Sequence, residues 1–298
     1  MKGRILKSTG SFYKVDIGED ILTLKLGGRL RLEELKHTNP VSVGDEVVIS
    51  EEGLIIDILP RKNYLIRKST NLSKQTHIVA SNIDQLWIIA TLKTPRTSTG
   101  FINRVLVTAE AYDITAGILF NKKDLLKNED MEDAEYMAEI FSSQGYTCYL
   151  VSSFDEQDIA IVREQLKDKT SLFTGHSGVG KSSLLNALDP NLHLRTGEVS
   201  KKFNKGTHTT TFAEMHRLSF GGYVIDTPGI KEFGLVNMEK TEIGDYFPEI
   251  LKIKSQCRFN NCLHINEPGC AVMEAVEQGG IAGFRYLDYV NMVESNDE

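Results

Sequence analysis

No run of about 18 apolar residues occurs in this 298-residue chain, so no segment reads as a transmembrane helix. The N-terminus, Met1-Lys2-Gly3-Arg4-Ile5-Leu6-Lys7, carries charge with no apolar stretch behind it. That argues against a secretory leader and makes the cytoplasm the expected location. Positive charge is not in excess either: 34 Lys and Arg stand against 41 Asp and Glu, a net −7, which excludes a wholly basic, histone-like nucleic-acid binder. Only four cysteines occur, and three of them (Cys257, Cys262, Cys270) fall within fourteen residues. In a reducing compartment such a cluster points to a metal before it points to disulfides. Internal repeats and low-complexity tracts are missing too. What is present, 41% hydrophobic and 25% charged residues, is the composition of a folded protein with a substantial core.

The net charge is unevenly spread. Residues 1–70 carry 12 basic and 10 acidic side chains, residues 71–232 carry 17 and 20, and residues 233–298 carry 5 and 11. The length suggests two domains, and the breaks in pattern suggest three. The first, 1–70, reads as all-β, with short runs such as 12–17, 21–26 and 46–49 between turn signals at Gly18-Glu19-Asp20, Gly27-Gly28 and Gly44-Asp45. A small barrel of the oligonucleotide-binding (OB) type is expected, with an SH3-like barrel as the alternative. The basic stretch Pro60–Lys68 leaves this barrel, as a solvated linker or as a contact for phosphates. From about residue 80, strands (86–90, 117–120, 148–151, 170–174) alternate with helical spacing (101–111, 131–141 and from Ser182), which predicts a doubly wound parallel α/β sheet over 71–232. Residues 233–298 form the expected third unit, mostly helical and metal-binding.

Gly175-His176-Ser177-Gly178-Val179-Gly180-Lys181-Ser182 fits Gly-x-x-x-x-Gly-Lys-Ser and lies between a strand and a helix, with Ser183 following. The glycines let backbone amides face phosphates at a helix N-terminus, Lys181 reaches β/γ oxygens, and the Ser182 hydroxyl suits Mg²⁺. Asp226-Thr227-Pro228-Gly229 follows the strand 223–225, where Asp226 can hold Mg²⁺ through water and the Gly229 amide can meet a γ-phosphate. Asn121-Lys122-Lys123-Asp124 follows another strand. A carboxylate at Asp124 accepts from guanine N1–H and its exocyclic amine, a donor pair that adenine lacks; Asn121 supports the loop and the Lys122 stem covers the ring. Ser152 and Ser153, after the next strand, sit where a loop amide meets the guanine oxygen. The guanine loop precedes the phosphate loop by about fifty residues, the reverse of small GTPases, so the chain is expected to be circularly permuted.

Cys257, Cys262, His264 and Cys270 supply three thiolates and an imidazole, a full tetrahedral set for one structural Zn²⁺ with no open position. The metal would supply folding energy to a short acidic segment with little core of its own. Cys148 reads as a buried small hydrophobe.

Taken together, Pro60-Arg61-Lys62-Asn63, the Asn-Lys-Lys-Asp and Gly-His-Ser-Gly-Val-Gly-Lys-Ser motifs, Gly206-Thr207-His208-Thr209-Thr210-Thr211 and Cys262-x-His264-x-x-Glu267-Pro268-x-Cys270 resemble the RsgA (YjeQ/YloQ) family of circularly permuted, small-subunit-dependent bacterial GTPases. The resemblance covers nearly the whole chain. It implies an N-terminal OB-fold that binds RNA or the ribosome, a permuted GTPase domain and a C-terminal zinc domain. It also implies GTP hydrolysis stimulated by the small ribosomal subunit and its rRNA, in late subunit maturation, with Mg²⁺ and one Zn²⁺ as cofactors. A monomer without membrane contact is expected, with other assembly factors as further candidate partners. Thr207 stands where family members often carry a basic residue, and Ser153 where alanine is common. Ile230 occupies the place of the water-orienting glutamine of small GTPases, so slow resting turnover is expected. The resemblance points to His208 as the group brought in from the loop 200–211, with Thr209 or Thr210 closing on Mg²⁺ and the γ-phosphate. Two other readings are a nucleotide-sensing module without turnover and a GTPase with a different client.

Overall fold

The computed structural model describes residues 1–28, 30, 40–68, 76–195, 213–227 and 238–295. Five strands make the N-terminal barrel: β1 (Lys2–Ser8), β2 (Tyr13–Asp16), β3 (Ile21–Leu26), β4 (Glu46–Ile49) and β5 (Leu54–Ile58). Alternation builds its core, since Tyr13, Val15, Leu24 and Leu26 are buried while Lys14, Thr23 and Lys25 between them are exposed. Gly18, at φ 97°, takes the left-handed turn between β2 and β3 that a side chain resists. The strands pair in the order β1-β2-β3-β5-β4 and β4 returns to β1, with β3 and β5 parallel. That closed order is the OB barrel rather than the SH3-like alternative.

The basic stretch after the barrel is anchored at its start. Arg61 sends Nε and Nη2 to the two oxygens of Asp45, each at 2.7 Å, and Nη2 also reaches Pro40 O. Asp45 is fully buried and accepts further from Ser42 N–H and the Ser81 hydroxyl. The hydrogen bond to Asp45 holds the Arg61 guanidinium above its ordinary pKa, against the lowering effect of burial. Asn63 pairs through both amide atoms with the backbone of Ile83, each bond at 2.8 Å. β6 (Tyr64–Lys68) then pairs antiparallel with β7 (Thr76–Ser81). A buried carboxylate requires a buried cation; the local charge run could not show that the acid lies sixteen residues upstream.

The α/β unit contains β8 (Gln85–Ala90), α1 (Thr99–Ala111), β9 (Thr115–Asn121), α2 (Asn128–Ser143), β10 (Thr147–Val151), α3 (Glu156–Leu166), β11 (Thr170–Thr174), α4 (Lys181–Leu188), β12 (Glu214–Arg217) and β13 (Tyr223–Asp226). Strand order is β10-β9-β8-β11-β13-β12, all parallel except β12. One face is covered by α1 and α2 (Ile102, Val105, Phe141), the other by α3 and α4 (Val162, Leu184, Leu185), as doubly wound sheets require. All six residues of β8 are buried, and the five from Leu86 to Ala90 form the continuous apolar run of a central parallel strand. Cys148 is half-buried against this core, and burial pushes its thiol up to about 11. β12 also bridges to β1 through Lys7 and Glu214, whose side chains pair at 2.6 Å.

The C-terminal module packs one-turn helices (Lys240–Ile243, Pro248–Leu251), α5 (Ala271–Glu277) and α6 (Gly283–Ser295) around Ile243, Phe247, Ile250, Tyr289 and Met292, with Val107 of α1 in the same cluster. Arg285 of α6, 1% exposed, is the joint. It donates to both oxygens of Glu249 (2.6 and 2.9 Å) and to Asn103 Oδ1 of α1 (2.5 Å), and Asn103 donates to Asp288 at 2.7 Å. Among the described residues no helix is long and apolar enough to cross a membrane.

Candidate functional site

The phosphate loop leaves β11 at the middle of the sheet. A Cβ on Gly175 would stand 2.5 Å from Ile89 O, so only glycine lets the chain turn there. Gly178 and Gly180 adopt φ of 85° and 90°, and a Cβ on Gly180 would stand 2.5 Å from Asn121 Nδ2. α4 opens at Lys181, one residue before its expected start, so its first N–H groups and positive dipole end face the loop. Val179 is fully buried and anchors the loop in the core, His176 and Ser182 are half-buried, and Ser177 and Ser183 are exposed. The Phe101 ring at the start of α1 packs on His176, with centroids 4.0 Å apart. Lys181 Nζ lies 2.6 Å from Asp226 Oδ1 and donates to Thr227 O at 3.1 Å, which brings the P-loop ammonium onto the aspartate ending β13.

The guanine loop is built onto the phosphate loop. Asn121, 2% exposed at the end of β9, donates from Nδ2 to Val179 O at 2.9 Å. Lys122, in left-handed conformation (φ 65°), donates from Nζ to Gly178 O (2.7 Å) and Thr94 O (2.6 Å). Asp124 is exposed, and its Oδ1 accepts from the Ser152 hydroxyl at 2.6 Å. Ser152 is itself fixed, its N–H donating to Asp158 Oδ2 at 2.8 Å. Lys123 spans Asp158 (2.6 Å) and Asp155 (3.2 Å); burial works to lower its pKa, but these carboxylates prevail and raise it. Ser153 is half-buried beside them. The structure thus joins Asn121, Lys122, Asp124, Ser152, Lys181 and Asp226 at the C-terminal ends of the parallel strands. His208, Thr209, Thr210 and Gly229 lie outside the described residues.

Sequence reasoning expected a backbone donor at Ser152; the hydroxyl that aims Asp124 is additional, and Asp158, Phe101 and Thr94 were not anticipated at all. The Asp155–Asp158 pair opening α3 was the available signal, an N-cap with a second acid three residues on. Chemically, the arrangement offers a carboxylate for a planar base with two adjacent N–H donors, and amides plus an ammonium for phosphates.

Cys257, Cys262, His264 and Cys270 converge, their ligand atoms all within 4.8 Å of one another. Cys257 Sγ lies 3.5 Å and Cys270 Sγ 3.4 Å from His264 Nδ1, and the two sulfurs are 3.9 Å apart. A tetrahedron with metal–sulfur bonds of about 2.3 Å and a metal–nitrogen bond of about 2.1 Å has edges of roughly 3.6–3.8 Å, so the donor set fits a four-coordinate ion. Burial pushes the Cys262 thiol up to about 12, so a cation is needed to hold it as thiolate. Glu267 is not a ligand. It accepts from the N–H groups of Leu263, Ile265 and Asn266 and shapes the loop that presents His264.

Comparison with known proteins agrees with this geometry. A family model for the RsgA GTPase matches residues 58–236, and one for the RsgA N-terminal domain matches residues 2–54. A Christiangramia forsetii protein named small ribosomal subunit biogenesis GTPase RsgA is 49% identical, aligned over 100% of this chain and 97% of its own. A Bacteroides fragilis protein of the same name is 46% identical over 100% and 98%. Among solved structures, YjeQ from Thermotoga maritima superposes with a TM-score of 0.80 at 35% identity, covering 99% of this chain and 97% of that one. YloQ, described as a circularly permuted GTPase, superposes with 0.74 at 34% identity, covering 99% and 94%. With the guanine loop after β9 and the phosphate loop after β11 brought together at the C-terminal ends of a permuted sheet's strands, the chain belongs to the RsgA GTPase family and is a GTP hydrolase.

Proposed function

We propose that this protein hydrolyses GTP on the small ribosomal subunit and acts in the late maturation of that subunit, in contact with its rRNA. The observation that carries the nucleotide part is the bonding of the guanine loop onto the phosphate loop: Asn121 to Val179 O, Lys122 to Gly178 O, and Ser152 to Asp124. The relatives' shared name, small ribosomal subunit biogenesis GTPase RsgA, supports the client. The proposed units are a barrel at 1–70, a permuted GTPase domain at 71–232 and a zinc module at 233–298.

In this reading Asp124 selects guanine, Asn121 and Lys122 hold the base edge and face, and Ser153 offers its N–H to the guanine oxygen. The amides of 175–183 and the Lys181 ammonium hold the phosphates, with Gly229 N–H at the γ-phosphate. Ser182 and Asp226 are the residues that would hold Mg²⁺, which neutralises phosphate charge when bound. For that, Lys181 must leave Asp226 for the nucleotide. Ile230 cannot hydrogen-bond a water, so turnover waits for another group. His208 is that group, brought to the reacting phosphate on the subunit, and Thr209 or Thr210 would meet Mg²⁺. Cys257, Cys262, His264 and Cys270 hold one Zn²⁺.

Phosphate release is measured with and without small subunits, for the wild type and His208→Ala. The subunit is expected to raise wild-type turnover, and the substitution is expected to abolish that rise while leaving GTP binding intact. An unstimulated wild type defeats the client assignment, and an unchanged stimulated rate in the variant defeats the role of His208.

A further inference from the structure

The C-terminal module holds a cavity of about 150 Å³ at the Cys/His cluster. It is lined by Asp245, Lys254, Phe259, Asn260, Asn261 and Tyr289, among others, with Cys262 and His264 of the cluster in its wall. A cavity of that volume accommodates one six-membered ring, and the polar lining suits a ring with hydrogen-bonding edges rather than an aliphatic group. Asn amides pair in bidentate fashion with base edges. No hydrogen bond engages the side-chain amides of Asn260 and Asn261 within the described protein. Phe259 is 41% exposed, and the Arg258 guanidinium lies 5.5 Å from its ring centroid. An exposed phenyl beside a guanidinium is the platform on which proteins stack splayed-out RNA bases.

Charge supports the same ligand. The module is acidic as a whole, with 5 basic against 11 acidic residues, so it gains nothing from indiscriminate phosphate contact. Lys254 lines the cavity and is paired with Asp245, which lines it too, while Lys252 and Arg258 are its neighbours along the chain. Arg285 is buried, which leaves Lys240 as the module's remaining basic residue. A ring-sized polar cavity whose one cation is already matched by a carboxylate suits the uncharged ring of a single unstacked nucleotide better than a duplex backbone. The site is also rigid: Arg258 N–H donates to Gly269 O, Tyr289 OH to Leu263 O, and Cys257 and Cys262 bracket the loop 258–261.

The geometry points to a nucleobase pocket: Phe259, Asn260 and Asn261 bind one unstacked base of the small subunit's RNA. This rests on the reading that the protein acts on that subunit. The test uses full-length wild type, Phe259→Ala, Asn261→Ala and Phe259→Tyr, all changed at exposed positions. Affinity for purified small subunits is measured by co-sedimentation with a non-hydrolysable GTP analogue, and ultraviolet cross-links are mapped. Phe259→Ala is expected to weaken binding between roughly five- and 150-fold, the worth of one stacked base, with Phe259→Tyr near wild type. Asn261→Ala is expected to weaken it less, and subunit-free GTP hydrolysis is expected to stay the same in every variant. Cross-links from loop 258–261 are expected on an unpaired RNA base. Unchanged affinity in Phe259→Ala, or cross-links on a ribosomal protein, overturns the pocket while leaving the GTPase reading intact. A wild type that does not sediment with the subunit removes the reading beneath it.

Discussion

Arg285 makes the most demanding quantitative prediction. Its guanidinium is 1% exposed and lies 4.7 Å from the Phe247 ring and 5.5 Å from Phe141, besides its bonds to Glu249 and Asn103. Replacing it by Met keeps most of the volume but strands the Glu249 carboxylate, 7% exposed, and leaves Asn103 Oδ1 without its donor. Removing one partner of a buried pair costs about 3–5 kcal/mol. At about 2–4 °C per kcal/mol for a protein of this size, the melting temperature is expected to fall roughly 6–20 °C. The reasoning also predicts that Arg285→Met with Glu249→Leu is more stable than Arg285→Met alone, because the Glu249 carboxylate is then no longer buried without its partner. Scanning calorimetry of the four proteins in the cycle decides it. A loss below about 1 kcal/mol for Arg285→Met, or a double variant no better than the single, refutes the account.

Three other outcomes are expected. Ser152→Ala removes the hydroxyl that aims Asp124, a hydrogen bond to a charged group worth about 1.5 kcal/mol or more, so GDP affinity should fall roughly tenfold or more, read by titration against an inosine nucleotide; equal loss for both bases is the contrary result. Asn121 Oδ1 is buried without a partner among the described residues, and its neighbour across the parallel ladder is Val151; Val151→Thr should supply a hydroxyl and raise the melting temperature by about 2–4 °C, the worth of about 1 kcal/mol, whereas a drop means the hydroxyl finds nothing. Burial works to raise the pKa of Asp84, but the Thr170 N–H (2.8 Å) and Lys62 outweigh it and hold the carboxyl low. Its stabilisation is therefore complete above the unfolded carboxylate pKa of about 4 and fades as pH falls through the lower folded value. The gap in melting temperature between wild type and Asp84→Asn should be flat from neutral pH to about 5 and shrink in acid, and a gap that widens in acid contradicts the sign.

Legibility tracked distance along the chain. The phosphate loop, the Asn-Lys-Lys-Asp loop and the Cys/His set are written in spacings of a few residues, so their chemistry was readable locally and their convergence followed from the strands around them. β12, Glu-Met-His-Arg, carries no apolar alternation and is a strand because β13 and β1 flank it. The roles of Arg61 and Arg285 were hidden for the same reason: their acids lie sixteen and thirty-six residues away, and nothing in a charge run tells a buried pair from a solvated face. Ser152 was placed at the right loop for its amide, while the work of its side chain depended on where Asp124 arrives from another strand.

The permuted strand order also governs the sequence of events at birth. β8, buried along its whole length, needs β9 on one side and β11 on the other, and β11 begins only at Thr170. The nascent chain thus displays a bare apolar edge for some eighty residues of synthesis, while the barrel behind it already has all five strands. Guanine-reading residues leave the translating ribosome before any phosphate-holding ones, and GTP can assist folding only after α4 has emerged.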